Sequence, residues 1–216
     1  GQMVDALSNH ELDLAISLTE GTVAAINQAA PISLVQWYVS SPLLWGIHVA
    51  ANSDFQTIDQ LQQARVAISR PGSGSHLMSY VEAQRQGWLN LTINQQDPPF
   101  EFVEVKHLEG GIKVLCDKRA DVFLWERFTT QPYVDQGILR RIGICPTPWP
   151  AFVISANNRL SDEKRTAISH VCGLISHQAP NLKSNPDAVG IIQKYCQLET
   201  EEIKEWLQLT EWASSE

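Results

Sequence analysis

The sequence predicts an α/β fold in which one domain is inserted into another. Three observations carry this. Period-two and buried-looking apolar runs alternate with helical patterns along most of the chain. Residues 46–148 form a self-contained strand–helix set. The flanking segments, 1–45 and 149–216, therefore have to pair with each other as one discontinuous domain. Strands alternating with helices favour a largely parallel sheet, and crossing strands at 43–50 and 149–154 join the two domains. After residue 155 only helical patterns remain.

The chain opens inside a helical pattern, residues 2–7, with no cap or lead-in, so further sequence is expected upstream. Leu12, Leu14, Ile16 and Leu18 alternate with Asp13, Ala15 and Ser17, as in a half-buried strand. Thr19, Glu20 and Gly21 turn the chain into a short helix, 22–28. Residues 32–39 read as a buried strand that Ser40-Ser41-Pro42 breaks. Thr57 and Gln60 form a capping box opening a short helix. A strand at 65–69 leads through a Gly/Ser turn into a helix ending near residue 86, with Gly87 after its C-terminus. A loop covers 94–100. Strands follow at 102–106, 121–125, 139–144 and 151–155, and helices at 110–118 and 128–135. Ser161 with Asp162 and Glu163 caps a long helix to residue 177. Asn185-Pro186 starts another helix and Thr200-Glu201-Glu202 a third. In the long helix Ile168, Val171, Leu174 and Ile175 are expected to face the core.

Composition narrows the function classes. The 216 residues are 44% hydrophobic and 19% charged, which suits a folded chain with a sizeable core. The net charge of −8, with no Lys/Arg cluster, argues against a nucleic-acid partner. No run of about 18 apolar residues predicts a membrane span. Cys116, Cys145, Cys172 and Cys196 are widely spaced, with no CxxC or Cys/His cluster, so no metal site is expected and mostly free, buried thiols are. His10, His48, His107, His170 and His177 lack partners at ligand spacing and read as surface or packed residues. No Ser/His/Asp or Cys/His set argues for turnover. No enzyme activity and no cofactor are expected.

Several residues carry site chemistry, each with a plainer alternative. Gly72, Ser73, Gly74, Ser75 and His76 lie between a strand and a helix. Converging amides and a helix N-terminus would seat an anion, or the segment is a glycine turn with a serine cap. Thr19, Glu20 and Gly21 end a strand, where α/β folds place ligands, or Glu20 simply favours a helix N-terminus. Trp125 could stack on a ring or cation and Glu126 hold an amine, or the pair is a core Trp with an exposed Glu. Trp149 is hinge packing or a cleft wall. Ser40 and Ser41 reach a ligand or form a turn before Pro42. If both the Gly/Ser turn and the carboxylates touch ligand, that ligand has an anionic end and an amine or polar ring.

The sequence resembles the type 2 periplasmic substrate-binding proteins of ABC importers, in the NMT1/THI5-like (sulfonate, nitrate and thiamine-precursor) group. The resemblance lies in a short helix followed by His10-Glu11-Leu12-Asp13-Leu14-Ala15, in Gly72-Ser73-Gly74-Ser75-His76, in Ala120-Asp121-Val122-Phe123-Leu124-Trp125-Glu126, and in Pro148-Trp149-Pro150. It spans essentially the whole chain. It implies two lobes with mixed or parallel sheets flanked by helices, a helical C-terminus, and an N-terminal strand–helix–strand lying upstream of this sequence. It also implies non-catalytic binding of a small molecule (a zwitterion, a sulfonate or a pyrimidine-like heterocycle) in an interdomain cleft by hinge closure, and delivery to a membrane permease from the periplasm. A cytoplasmic location stays open, because the effector domain of a LysR-type regulator shares the architecture. Pyrimidine synthases of the same superfamily carry a cysteine-rich iron motif that this chain lacks.

Overall fold

The computed structural model describes residues 2–89 and 99–213. The chain divides into two units, Gly1–Leu43 with Pro148–Glu216, and Leu44–Thr147. Residues 94–98 of the expected loop lie outside the described residues.

The first unit begins with α1 (Gln2–Ser8), β1 (Leu14–Leu18) and α2 (Thr19–Asn27). Val4 and Leu7, three apart on α1, share one face and pack with Ala15 and Ile32. α2 starts three residues earlier than the sequence suggests, directly from the strand. The chain then enters β2 (Ile32–Ala50), a strand of 19 residues that passes into the second unit.

In the second unit a 3₁₀ turn at Ile58–Leu61 carries the expected Thr57/Gln60 capping box. β3 (Arg65–Ile68), α3 (Gly74–Arg85), β4 (Glu101–Glu104), α4 (Leu108–Cys116), β5 (Val122–Glu126) and α5 (Gln131–Asp135) follow. β3 pairs in parallel with β4 and β5, whereas β2 pairs antiparallel with β5. α4 rests on the Phe123 face. A Cβ at Gly111 would come within 2.2 Å of that ring, so only glycine fits there. Phe123, Ala67, Ile112 and Leu115 form the core on this side.

β6 (Leu139–Asn157), also 19 residues, returns to the first unit and pairs antiparallel with β1, from Leu14 opposite Ala156 to Leu18 opposite Phe152. Strand pairing runs in the order β1-β6-β2-β5-β3-β4. The six strands therefore form one mixed, open series where the sequence suggests two sheets, because β2 and β6 each extend through both units.

The break expected at Ser40-Ser41-Pro42 is absent, and the strands expected at 139–144 and 151–155 are one. On β2 the even-numbered edge bonds first with the C-terminal segment (Ala213 N–H to Tyr38 O, 3.0 Å; Ser40 N–H to Glu211 O, 2.8 Å) and then with the residue after β5 (Arg127 N–H to Leu44 O, 2.9 Å). Pro42 falls between these contacts, where its missing donor costs no ladder bond. Pro146, Pro148 and Pro150 are spaced by two, so all their missing donors fall on one edge of β6.

The chain closes with α6 (Asp162–Gln178), a 3₁₀ turn at Ala179–Ser184, α7 (Ala188–Gln193) and α8 (Thr200–Leu209). On α6 the stripe differs from expectation. Val171 and Leu174 are exposed, and the buried line runs through Cys172 and Ser176, where the Gln36 amide donates to Ser176 Oγ at 2.5 Å. Ile203 and Leu207, four apart on α8, pack with Ala188, Trp206 and Trp212. All four cysteines are free, with Cys145 and Cys172 buried. Burial pushes the Cys145 thiol up to about 12. Among the described residues no helix is long and apolar enough to cross a membrane.

Candidate functional site

The expected site residues fall into two groups, one in each unit. In the first unit the end of β1 meets β6. Thr19 is buried and its hydroxyl donates to Pro150 O at 2.5 Å. This bond sets the first turn of α2 against the Pro148-Trp149-Pro150 segment. The Trp149 indole N–H donates to Glu20 Oε2 at 3.1 Å. The other oxygen, Glu20 Oε1, is buried and has no partner among the described residues. Burial raises the Glu20 pKa above the usual carboxylate value, while its own backbone amide and the Trp149 N–H draw it back.

Ser40 and Ser41 have a different occupant. Ser40 Oγ donates to Glu211 O at 3.1 Å, and Ser41 Oγ accepts from Glu211 N–H at 3.0 Å. Both hydroxyls hold the C-terminal segment against β2, which becomes a continuous strand and not the turn that Pro42 suggests.

In the second unit, parallel β3 and β5 bring the Gly/Ser turn and Trp125-Glu126 to the same end of the sheet, the C-terminal end where α/β folds bind ligands. Ser73 caps α3, its Oγ accepting from His76 N–H at 3.4 Å. Ser75 Oγ accepts from Ser69 N–H at 2.9 Å and lies 3.1 Å from Ser73 Oγ. Both serines are buried and build the turn. Gly72 takes the left-handed conformation, φ 73°, that glycine tolerates best. Its N–H donates to His76 Nδ1 at 3.0 Å. The amides of Gly74 and Ser75, at the α3 N-terminus, have no acceptor among the described residues.

Glu126 is engaged locally. Oε1 accepts from Phe128 N–H at 3.0 Å, and Oε2 accepts from Thr129 N–H at 2.7 Å and Thr129 Oγ1 at 2.6 Å. Its carboxylate caps the turn that follows β5. Trp125 lies against the α4 core, tilted on Phe123 at 5.1 Å and edge-on to Trp45 at 6.5 Å.

Two features escape sequence reasoning. Trp45 stands opposite Glu126 in the β2–β5 register and is only 5% exposed, and its indole N–H has no partner among the described residues. The aromatic residue beside Gly46 on a crossing strand was the available signal. His48, fully buried, places Nε2 2.8 Å from Thr130 Oγ1 and Nδ1 3.2 Å from Phe123 O, behind the Glu126 turn. No sequence spacing links residues 48 and 130. A cavity of about 130 Å³ lies elsewhere in this unit, lined by Ala50, Arg65, Lys118 and Asp121, and none of the expected site residues lines it.

Residues 45–145 match the family described as Ca3427-like PBP. The chain is similar to the Candida albicans CA3427 gene product, described as having the generic periplasmic binding protein fold, with 27% identity and a TM-score of 0.85 over 99% of this chain and 69% of that one. It is similar in fold to the alkanesulfonate-binding protein SsuA of Xanthomonas axonopodis pv. citri, solved with MOPS (15% identity, TM-score 0.77, 98% and 72% covered). The same holds for a ligand-binding component of an ABC-type import system from Staphylococcus aureus, solved with zinc (11% identity, TM-score 0.71, 99% and 71% covered). No curated protein is significantly similar to it in sequence. Pairing order, crossing strands and these likenesses agree: the chain has the type 2 periplasmic-binding-protein fold.

Proposed function

We propose that the chain binds a small molecule without converting it and hands it to an ABC-type importer from the periplasm. The solved structures it resembles include ligand-binding proteins of such systems, which supports this reading.

One observation carries the choice of ligand. Glu20 presents a buried oxygen without a donor, fixed by the Trp149 indole on its other oxygen. A buried carboxylate oxygen is costly unless a donor reaches it. An ammonium or amino N–H of the ligand supplies that donor. The Gly74 and Ser75 amides suit an anionic or carbonyl oxygen. A zwitterionic sulfonate or an amino-substituted pyrimidine has both features.

Calorimetry with taurine, a 4-aminopyrimidine and ethanesulfonate tests this. Taurine or the aminopyrimidine binds, and ethanesulfonate, which lacks the amine, does not. Glu20→Gln weakens binding by roughly 10- to 100-fold, the worth of one hydrogen bond to a charged group. Equal binding of ethanesulfonate, or an unchanged affinity in Glu20→Gln, would exclude Glu20 as the amine acceptor.

A further inference from the structure

The Gly/Ser turn is held by a group that titrates. His76 is the third residue of α3, and its ring reaches back over the cap to accept the Gly72 N–H at Nδ1, 3.0 Å away. An Nδ1 that accepts carries no proton, so the neutral ring bears its hydrogen on Nε2. Two edge-on aromatic contacts fix the ring, Phe102 at 4.7 Å and Tyr80 at 5.3 Å. Gly72 itself stands in the left-handed region, where its amide direction depends on what holds it.

We propose that His76 is a positioning residue: its neutral imidazole holds the Gly72 amide, and with it the aim of the following Gly74 and Ser75 amides, while protonation at Nδ1 sets N–H against N–H and releases the turn. This rests on the reading of the turn as a ligand-facing element. The direction is opposite to simple charge attraction, in which an imidazolium would strengthen anion binding.

The groups around the ring set its surroundings. Arg70 lies in the turn itself, its guanidinium 3.5 Å from Pro71 O. Tyr80 is on the same helix. On β4, Glu104 shares the face of Phe102. Lys106 joins the turn through its N–H to Ser69 O, 2.9 Å. Burial lowers the His76 pKa from its ordinary value of 6.5, which keeps the ring neutral and the contact made at neutral pH.

Nitrogen-15 NMR on the whole chain tests this without any ligand. At pH 8 the His76 ring shows the Nε2–H tautomer, and the Gly72 amide resonance shifts in step with His76 as the pH falls to 5. His76→Asn places an amide oxygen where Nδ1 stands and removes the pH step while keeping the Gly72 resonance near its wild-type position. His76→Gln, whose polar group reaches the Nε2 place, moves the Gly72 resonance at all pH values. An Nδ1–H tautomer, or a Gly72 amide indifferent to pH, overturns the proposal. With taurine as probe, the ratio of wild-type to His76→Asn affinity falls about tenfold between pH 8 and pH 5. A ratio that rises on acidification overturns the proposal. Absence of taurine binding at every pH counts against the zwitterion reading and leaves the NMR result to decide His76.

Discussion

Arg65 and Asp121 join the starts of two parallel strands by four hydrogen bonds. Asp121 Oδ2 accepts from Arg65 N–H (2.9 Å) and Nε–H (3.0 Å), Oδ1 accepts from Nη2 (2.7 Å), and Asp121 N–H donates to Arg65 O (2.8 Å). Partial burial alone would raise the Asp121 pKa, but the hydrogen bonds and charge of Arg65 outweigh it and the net shift is downward. A carboxylate lowered in the folded state stabilises the fold above its ordinary value of 3.8 and loses that contribution as the pH falls below it. Asp121→Asn lowers the unfolding midpoint at pH 7 and flattens the acid limb below pH 4. Thermal denaturation at pH 7 and pH 3 checks both, and an unchanged acid limb would remove the pair from the account of acid sensitivity.

Burial raises the Glu20 pKa, and its own backbone amide and then Trp149 oppose the rise. The indole N–H favours the charged carboxylate. Trp149→Phe therefore raises the Glu20 pKa further and moves the onset of amine binding to higher pH. Carbon-13 NMR of labelled glutamate reads the shift directly, and a Glu20 titration that stays put argues that the contact carries no electrostatic weight.

His48 makes the second unit sensitive to acid. Burial first, and the Arg141 charge second, lower its pKa from 6.5 to about 3. A buried neutral histidine contributes stability above its unfolded value, and this is lost as the pH falls from 6.5 toward 3, with a slope approaching about 1.4 kcal/mol per pH unit. His48→Leu should unfold at a lower temperature at pH 7, since it removes the acceptor facing Thr130, yet lose less stability between pH 7 and pH 4. Parallel losses in the two proteins would show that His48 does not carry the dependence.

Ser73 caps α3 and also stands 3.4 Å from the Arg70 N–H. Ser73→Ala costs about 1 kcal/mol of stability, as removal of a helix N-cap does. Urea denaturation with an unchanged slope measures it, and a loss near zero would mean that another group takes over the cap.

Much of this fold is legible in local pattern. The strand at Leu14–Leu18 and the caps at Ser161 and Thr57 need only side-chain period and turn chemistry, although on that strand Ala15 is buried and Ile16 exposed, the reverse of the face that the alternation suggests. Pro42 misleads, because whether a proline breaks a strand depends on the edge that its missing N–H faces, which is a tertiary fact. The same limit applies to α6, where Val171 and Leu174 look like core by period but the helix is rotated to bury Cys172 and Ser176. At the candidate site, residue type suggests Glu20 and Glu126 alike. Only the distances distinguish them: Glu126 spends both oxygens on its own turn, and Glu20 keeps one without a donor.

Gly111 and Phe123 constitute a single unit of sequence change. The ring fills the place that the smallest side chain at 111 would need. A chain of this architecture that keeps an aromatic residue at 123 must leave 111 bare, and one that fills 111 has to shrink its partner in the same step. Substitutions at the two positions are expected to rescue one another, so the double variant is milder than the sum of its parts.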